Sequence, residues 1–452
     1  MSTPSQSPQD VEHRVAPHVR RLRQRAFRER TRESLLFLPL LMVAASVVLA
    51  LVLGDVDDRH GLDYPGIFTF TPDVAITLLT TIAGAMITTA GVVFSLLVVS
   101  LQLASGQFSP RVLRGFWRDR HGQVLIGLLM STFVFSVFTL ARIDSSQEYA
   151  PTLTINFALL LALLSVLAIV IYLDRISRQQ YVGRILQRVA GETKDLIRQL
   201  PYGPNLGVKI GEPCPVPDVS GLGEPLVVNA DTDGWVQQLS RRAIVAACPP
   251  GSVIKLRTRV GGYLTAGTPI LSIWPAPASA AVVARAVDAA LIVGPARTMQ
   301  QDIDFGLRQL NDVGLRSLSP AINDPTTAVE VILRLGSVMR PLLVARATPQ
   351  CVRDPEGRIL LTPDDLDKSE YVQHAFHQLH HYAAGHEAVL AAMMRVLTML
   401  RAACVKGDGA AAIPDDEGAI AEIDRLLAAI EPELTELRSR TGLPPLPLRE
   451  AR

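Results

Sequence analysis

Four long apolar stretches of this 452-residue chain contain no Asp, Glu, Lys, Arg or His. Proton relays and charge-coupled carriers place ionisable side chains at membrane depth, so this absence weighs against a proton-driven carrier. It is neutral toward a pore lined by hydroxyls or carbonyls, and toward a plain anchor. The chain also lacks a Walker loop, a Rossmann fingerprint, a GxSxG elbow, a CxxC pair, an HExxH helix and EF-hand spacing, so catalysis of a familiar layout is not expected. Its four cysteines (Cys214, Cys248, Cys351, Cys404) show no close pairing. They are expected to be incidental buried thiols, with neither a disulfide framework nor a zinc site.

What is present is apolar and segregated. Hydrophobic residues make up 48% of the chain, which points to a membrane portion. The net charge of +1 hides a strong partition of basic and acidic segments. The chain is organised around Val74 to Ala104, a run longer than a bilayer core of about 30 Å requires at 1.5 Å per residue. Its small and polar residues fall in register. Thr77, Thr81, Gly84, Thr88, Gly91, Ser95, Val98 and Gln102 step alternately by four and three, so they form one stripe, with Leu79, Ile82, Met86, Val93 and Leu97 opposite. Two readings stay open. The stripe is a seam where helices pack closely through small residues, or it is a water-facing wall of a pore.

Three further apolar spans are expected at Leu35 to Leu53, Val124 to Ala141 and Thr152 to Leu173. A basic run (Arg20, Arg21, Arg23, Arg25, Arg28, Arg30, Arg32) precedes the first span. It reads as a cytoplasmic anchor attracted to anionic lipid, not as a nucleic-acid arm or a cleavable leader. The loop after span one is acidic, with Arg59 its only Lys or Arg. Arg111, Arg114, Arg118 and Arg120 follow span two, and Arg175, Arg178, Arg184 and Arg188 follow span four. The positive-inside rule then places both termini in the cytoplasm.

Beyond the membrane, Asp174 to Leu200 reads as an amphipathic helix, and Pro201 to Pro225 as a Pro/Gly-rich linker. Gly234 to Pro275 alternates apolar and polar residues between Gly and Pro turns and reads as a small β-barrel-like segment. Its VGGYLTAGTPIL hairpin resembles lipoyl-type modules, but no carrier lysine turn accompanies it, and Lys255 lies mid-strand. From Ala280 the pattern is helical, with helices expected at Arg297 to Leu318, Asp324 to Met339, Ser369 to Ala383, Glu387 to Cys404 and Asp416 to Arg438. Leu342 to Leu361 is expected to form a strand pair.

Two long motifs carry a family resemblance. They are GAMITTAGVVFSLLVVSLQLASGQFSPRVLRGFWRD at Gly84 to Asp119, and RTMQQDIDFGLRQLNDVGLRSLSPAINDPTTA at Arg297 to Ala328. With the four-span layout, the chain resembles the bacterial predicted membrane proteins of domain of unknown function 2254 over most of its length. The resemblance implies four membrane helices followed by a cytoplasmic domain, and it carries no activity, substrate or cofactor.

Three side-chain groups are candidates for chemistry. Asp304, Asp312, Asn323 and Asp324, with Asp302 and Asn311 nearby, offer oxygen ligands for a cation, or else caps and solvated carboxylates. His374, His377 and His381 share a helix face that can hold a divalent metal, contribute a pH-sensitive contact, or simply lie at the surface. The elbow Gln107, Arg111 and Arg114 lines a pore mouth or anchors in lipid.

The expected architecture is therefore a membrane α-helical protein, with four transmembrane helices and both termini inside. A cytoplasmic α+β domain follows, with a small β-barrel-like segment and a helical C-terminal part. The expected divisions are residues 1–34 (basic segment), 35–173 (membrane), 174–225 (helix and linker), 226–278 (β-rich), 279–441 (helical) and 442–452 (tail). The expected role is an oligomeric bacterial inner-membrane ion channel with the second helix lining the pore. The alternative is a non-transporting sensor or scaffold whose cytoplasmic domain binds a partner or small ligand. Lipid, ions and further copies of the chain are the expected partners, with no nucleic acid and no cofactor.

Overall fold

A computed structural model describes residues 13–24, 36–60, 68–107, 120–144, 150–179, 182–199, 211–345, 349–406 and 416–441. The chain divides into two compact units, Phe27–Tyr181 and Met1–Ala26 together with Val182–Arg452.

The first unit is helical. It contains α2 (Phe37–His60), α3 (Pro72–Gln107), α4 (Arg120–Leu140) and α5 (Thr152–Gln179); the label α1 is kept for residues 13–24, which belong to the other unit. Helix α4 packs against each of the other three. It can do so because its contact face is small where backbones meet: a Cβ added to Gly127 would lie 2.5 Å from Met42 Sδ and 3.2 Å from Pro39 Cα. Leu79, Leu125, Leu129, Phe135 and Ile155 are fully buried between the helices. The hydroxyls of Thr132 on α4 and Ser165 on α5 meet at 3.1 Å. At one end, Asp57 of α2 caps α5, accepting hydrogen bonds from Leu153 N (3.0 Å), Thr154 N (2.9 Å) and Thr154 Oγ1 (2.6 Å). A carboxylate there satisfies first-turn amides that have no partner inside their own helix.

The second unit is mixed α/β. Helix α6 (Val182–Arg198) buries Ile185, Leu186, Val189, Ala190, Thr193 and Ile197 along one face. The strands are β1 (Glu212–Pro213), β2 (Leu226–Asn229), β3 (Gly234–Leu239), β4 (Val253–Leu256), β5 (Tyr263–Leu264), β6 (Pro269–Trp274), β7 (Leu291–Gly294), β8 (Cys351–Arg353) and β9 (Ile359–Leu361). They form a six-stranded sheet in the order β1-β8-β9-β4-β6-β2 and a three-stranded sheet in the order β5-β3-β7. Pairing is antiparallel except between β4 and β9, with Ile254 opposite Leu360.

The β-barrel-like segment expected for this region is corrected by this topology. Neither sheet closes among the described residues. The partner that extends β4 is β9, about a hundred residues downstream, so the sheet grows sideways instead of curling back on itself. The run RRAIVAA, read as strand from its neighbours, is helix α7 (Arg241–Ala247), with the Ser240 hydroxyl accepting from Ala243 N at 3.3 Å. A second correction concerns cysteine: Cys214 and Cys351 form a disulfide across 137 residues, while Cys248 and Cys404 are buried thiols outside any disulfide. Pairing of β1 with β8 brings the two together, and sequence spacing carries no sign of it.

Helix α1 docks on this unit. Val15 is buried in the same core as Val236, Ile244, Ile254, Leu271, Val283 and Leu360, with Val19 packed against it. The remaining helices are α8 (Ala280–Ala289), α9 (Ile303–Ser317), α10 (Pro325–Val344), α11 (Lys368–Tyr382), α12 (Glu387–Lys406) and α13 (Asp416–Thr441). Helix α10 runs through part of the stretch expected as a strand pair, and among the described residues β8 and β9 are the strands there.

Among the described residues, five helices are long and apolar enough to cross a membrane: Phe37–Arg59, Pro72–Ser100, Arg120–Leu140, Thr152–Asp174 and Glu387–Val405. The fifth, in α12, lies in the mixed unit. It packs on α10, where Gly336 receives Val396, and on α13, where Arg401 pairs with Asp424 at 2.5 Å.

Candidate functional site

The stripe on α3 faces out of its unit. Thr77, Thr81, Gly84, Thr88, Gly91, Ser95, Val98 and Gln102 are all exposed. A Cβ added to Gly84 or Gly91 would meet nothing within 4 Å. The buried face is the opposite one, with Ala75, Leu79, Ile82, Met86, Ala90 and Val93, the last four grouped with Leu125 and Leu129 of α4. The threonine hydroxyls turn inward on their own helix: Thr77 donates to the Asp73 carbonyl (2.9 Å), Thr81 to Thr77 (2.7 Å) and Thr88 to Gly84 (2.8 Å). Each oxygen still has lone pairs to offer outward. Near the start of α3, Thr77 and Thr81 border an open groove of about 520 Å³ whose other wall holds Leu159 and Ala162 of α5. Of the elbow, Gln107 ends α3 and its side chain lies outside the described residues, as do Arg111 and Arg114.

In the mixed unit the acidic candidates do not converge. Helix α9 is 15 residues long, so Asp304 at its start and Asp324 beyond its end are about 20 Å or more apart. Asp312 lies 3.7 Å from Arg308 on the same helix. Asp324 caps α10, accepting from Thr327 N (3.1 Å) and Thr327 Oγ1 (2.6 Å), and these bonds hold its carboxyl below the usual range. Asn323 precedes it at φ 47°, a left-handed turn position that asparagine tolerates.

What forms instead is a buried ionic cluster around Arg297, a residue absent from the sequence-based candidates. Its guanidinium donates to Asp302 twice (2.7 Å each) and to Asp304 (2.8 Å), and sits 5.8 Å from the Trp235 ring and 5.5 Å from that of Phe305. Asp302 also caps α9 through Phe305 N at 3.0 Å. His374 Nδ1 of α11 bonds Asp304 at 2.7 Å, and Asn311 donates to the His374 carbonyl. Burial pushes Asp304 up, but hydrogen bonds from His374 and Arg297 outweigh it and hold the carboxyl at about 2. For Asp302 burial wins, and the carboxyl is raised despite Arg297. Burial, with the charges of Asp302 and Asp304, pushes the Tyr371 hydroxyl up. A guanidinium thus occupies the place a cation would take between these carboxylates. Gly261 is needed beside them, because a Cβ there would strike Asp302 Oδ2 and Arg297.

The histidine face is divided among partners. His374 meets Asp304 of α9, His377 Nε2 meets Glu422 of α13 at 2.9 Å, and His381 stacks edge-on against Tyr382 at 5.2 Å. No group of three His, Cys, Asp or Glu side chains placed to hold a metal ion occurs among the described residues. The signal for Arg297 was its spacing, five and seven residues before two aspartates; nothing in the sequence distinguishes Asp57 from its acidic neighbours.

Several long apolar helices in one unit, and a second mixed α/β unit, define the class: a membrane protein with an appended α/β region. More particularly, residues 32–399 match the family described as "Predicted membrane protein (DUF2254)", and the chain belongs to it. Uncharacterized proteins of Mycobacterium bovis and Mycobacterium tuberculosis are 33% identical over 348 residues, covering 75% of this chain and 66% of each relative. The chain thus spans just under two thirds of the length of the curated relatives it matches. No solved structure matches it.

Proposed function

We propose that this protein is an oligomeric inner-membrane ion channel, with the α3 stripes of several copies surrounding a shared pore and the mixed unit assembling in the cytoplasm as a gating or scaffolding domain. One observation carries the reading. A single chain buries the bulky face of α3 and leaves all eight residues of its uncharged small and hydroxyl stripe exposed. Uncharged hydroxyls, carbonyls and glycine backbone suit a wall along which ions pass without being trapped.

Two further features support four crossings with both termini inside. Helix α1, which precedes the first span, packs in the core of the unit that follows the fourth, an arrangement that suits an even number of crossings between them. Helix α12, the fifth apolar candidate, is packed between α10 and α13 as domain core. The basic segments on the same side agree. No catalytic role is assigned to the mixed unit.

A closed assembly that carries no ions is the second reading, and the threonine hydroxyls favour it: bonded back to their own helix, they leave a smooth face suited to close helix contact. Ion flux through purified protein in liposomes separates the two. Flux in the native chain that Ser95→Leu abolishes at unchanged oligomeric state supports the channel. An oligomer without flux across several salts and pH values supports the closed assembly.

A further inference from the structure

The segment entering the six-stranded sheet is held by little besides its disulfide. Strand β1 pairs with β8 only through Glu212 opposite Arg353 and Pro213 opposite Val352, and Pro213 has no N–H to donate. Cys214 N adds a hydrogen bond to the Cys351 carbonyl at 3.1 Å. Beyond it, Cys214 and Val219 cover a small apolar cluster of Val253, Trp274, Cys351, Ile359 and Leu361. Gly211 fits only because it lacks a Cβ, which would strike the Arg353 carbonyl. Residues 211–222 thus form a strap over the sheet edge, and one covalent bond is its main fastening.

We propose that Cys214 and Cys351 are a reversible thiol–disulfide modification site. It is closed by low-molecular-weight disulfides and opened by dithiol reductants of the C-x-x-C class. The inference rests on the cytoplasmic placement above, since in a reducing compartment a disulfide is a transient, signalling bond and not a permanent one. Accessibility sets the order of events. Cys214 is half-buried on the outermost strand, while Cys351 is 4% exposed. To close the bond, the Cys214 thiolate attacks the reagent disulfide and expels one thiolate, leaving a mixed disulfide on Cys214. The Cys351 thiolate then attacks the Cys214 sulfur and expels the second. Two electrons pass from the cysteine pair to the reagent, and the two protons given up by the cysteines are taken by the two released thiolates. Reduction runs the same path backward, a reductant thiolate attacking Cys214 and releasing Cys351. The open form frees the strap and uncovers the apolar cluster beneath it.

The test is thiol trapping of the full chain in cells, by acid quench and denaturing reaction with a polymer-tagged maleimide. The chain has four cysteines, so the reduced form gains four tags and the closed form two. The expected result is four tags in growing cells. A brief pulse of dipyridyl disulfide lowers this to two, washout restores four, and Cys214→Ser prevents closure. Four tags throughout the pulse would overturn the proposal, as would two tags that persist in untreated cells and resist permeant reductant. In purified protein, cleavage within 211–222 by added protease should rise several-fold on reduction; equal rates in both forms would overturn the strap. The placement itself is read separately. Asp288 is exposed on α8, so Asp288→Cys in a Cys214→Ser/Cys351→Ser chain should react with an impermeant maleimide only after cells are opened. Labelling in intact cells would overturn the cytoplasmic reading, whatever the trapping shows.

Discussion

On α4, Thr132, Ser136 and Thr139 step by four and three and are all buried; on α3, Thr81, Thr88 and Ser95 keep a seven-residue rhythm and are all exposed. Gly127 of α4 lies against Met42 and Pro39, while Gly84 and Gly91 of α3 face open space. The two helices share a composition and a periodicity, yet α4 spends its small residues inside the unit and α3 turns them away from it. Periodicity identifies a face; it does not say what that face meets. The choice is made by the opposite face. On α3 that face carries Leu79, Ile82, Met86 and Val93, whose burial against α4 removes more apolar area than the threonine stripe can offer.

Substitutions can break this comparison, and their expected effects fall in a clear order. Gly127→Leu drives a side chain into Met42 and the α2 backbone and should lower the stability of detergent-solubilised protein by about 3 kcal/mol, read from its melting curve. Gly91→Leu, its counterpart on α3, should stay within about 0.5 kcal/mol for the single chain. Equal losses at the two positions would contradict the assignment of faces.

Acid titration provides a buried polar reference in the other unit. Asp304 is held at about 2 against an ordinary value of 3.8, so its contribution is complete above about pH 4 and is lost as pH falls toward 2. The shift corresponds to roughly 2 kcal/mol at most, and Asp302, raised by burial, opposes it. His374→Ala should move that loss to higher pH in an acid-unfolding series.

Asp57→Ala removes a buried cap with three hydrogen bonds at one end of the membrane unit and should cost about 1–2 kcal/mol in the same melts. Thr132→Val removes the contact with Ser165 and the hydroxyl's bond to the Leu128 carbonyl, and should cost about 0.6 kcal/mol. Thr88→Leu, on the outward stripe, should leave the melt of the single chain unchanged while removing ion flux.

Much of the membrane unit was legible because bilayer burial demands long uncharged runs, and the stripe on α3 was visible from its spacing. The same hydropathy test also marks α12, and only packing on α10 and α13 sets it apart. In the mixed unit, local signals served well: Asp324 before Pro325 caps a helix as its residue types require. Contacts between distant segments left no trace. The β4–β9 pairing that opens the expected barrel joins strands about a hundred residues apart, and the Cys214–Cys351 bond spans 137. Arg297 reads as an ordinary basic residue until folding places two aspartates around it. For the acidic and histidine candidates, the helical face was legible but not the partners, because Asp304 on α9 meets α11, and the histidines on α11 meet α9 and α13.

The central claim is that the exposed face of α3 is wet in the assembled protein. It is tested most directly by cysteine accessibility in reconstituted membranes, in a chain whose native cysteines are replaced by serine. Single cysteines at Thr88 and Ser95 are compared with one at Phe94, which is exposed beside the stripe and 55% accessible in the single chain. The account predicts that a charged, water-soluble thiosulfonate reacts quickly with Thr88→Cys and Ser95→Cys and slowly with Phe94→Cys. Equal, slow reaction at all three would place the stripe against lipid or in a sealed seam and contradict the channel.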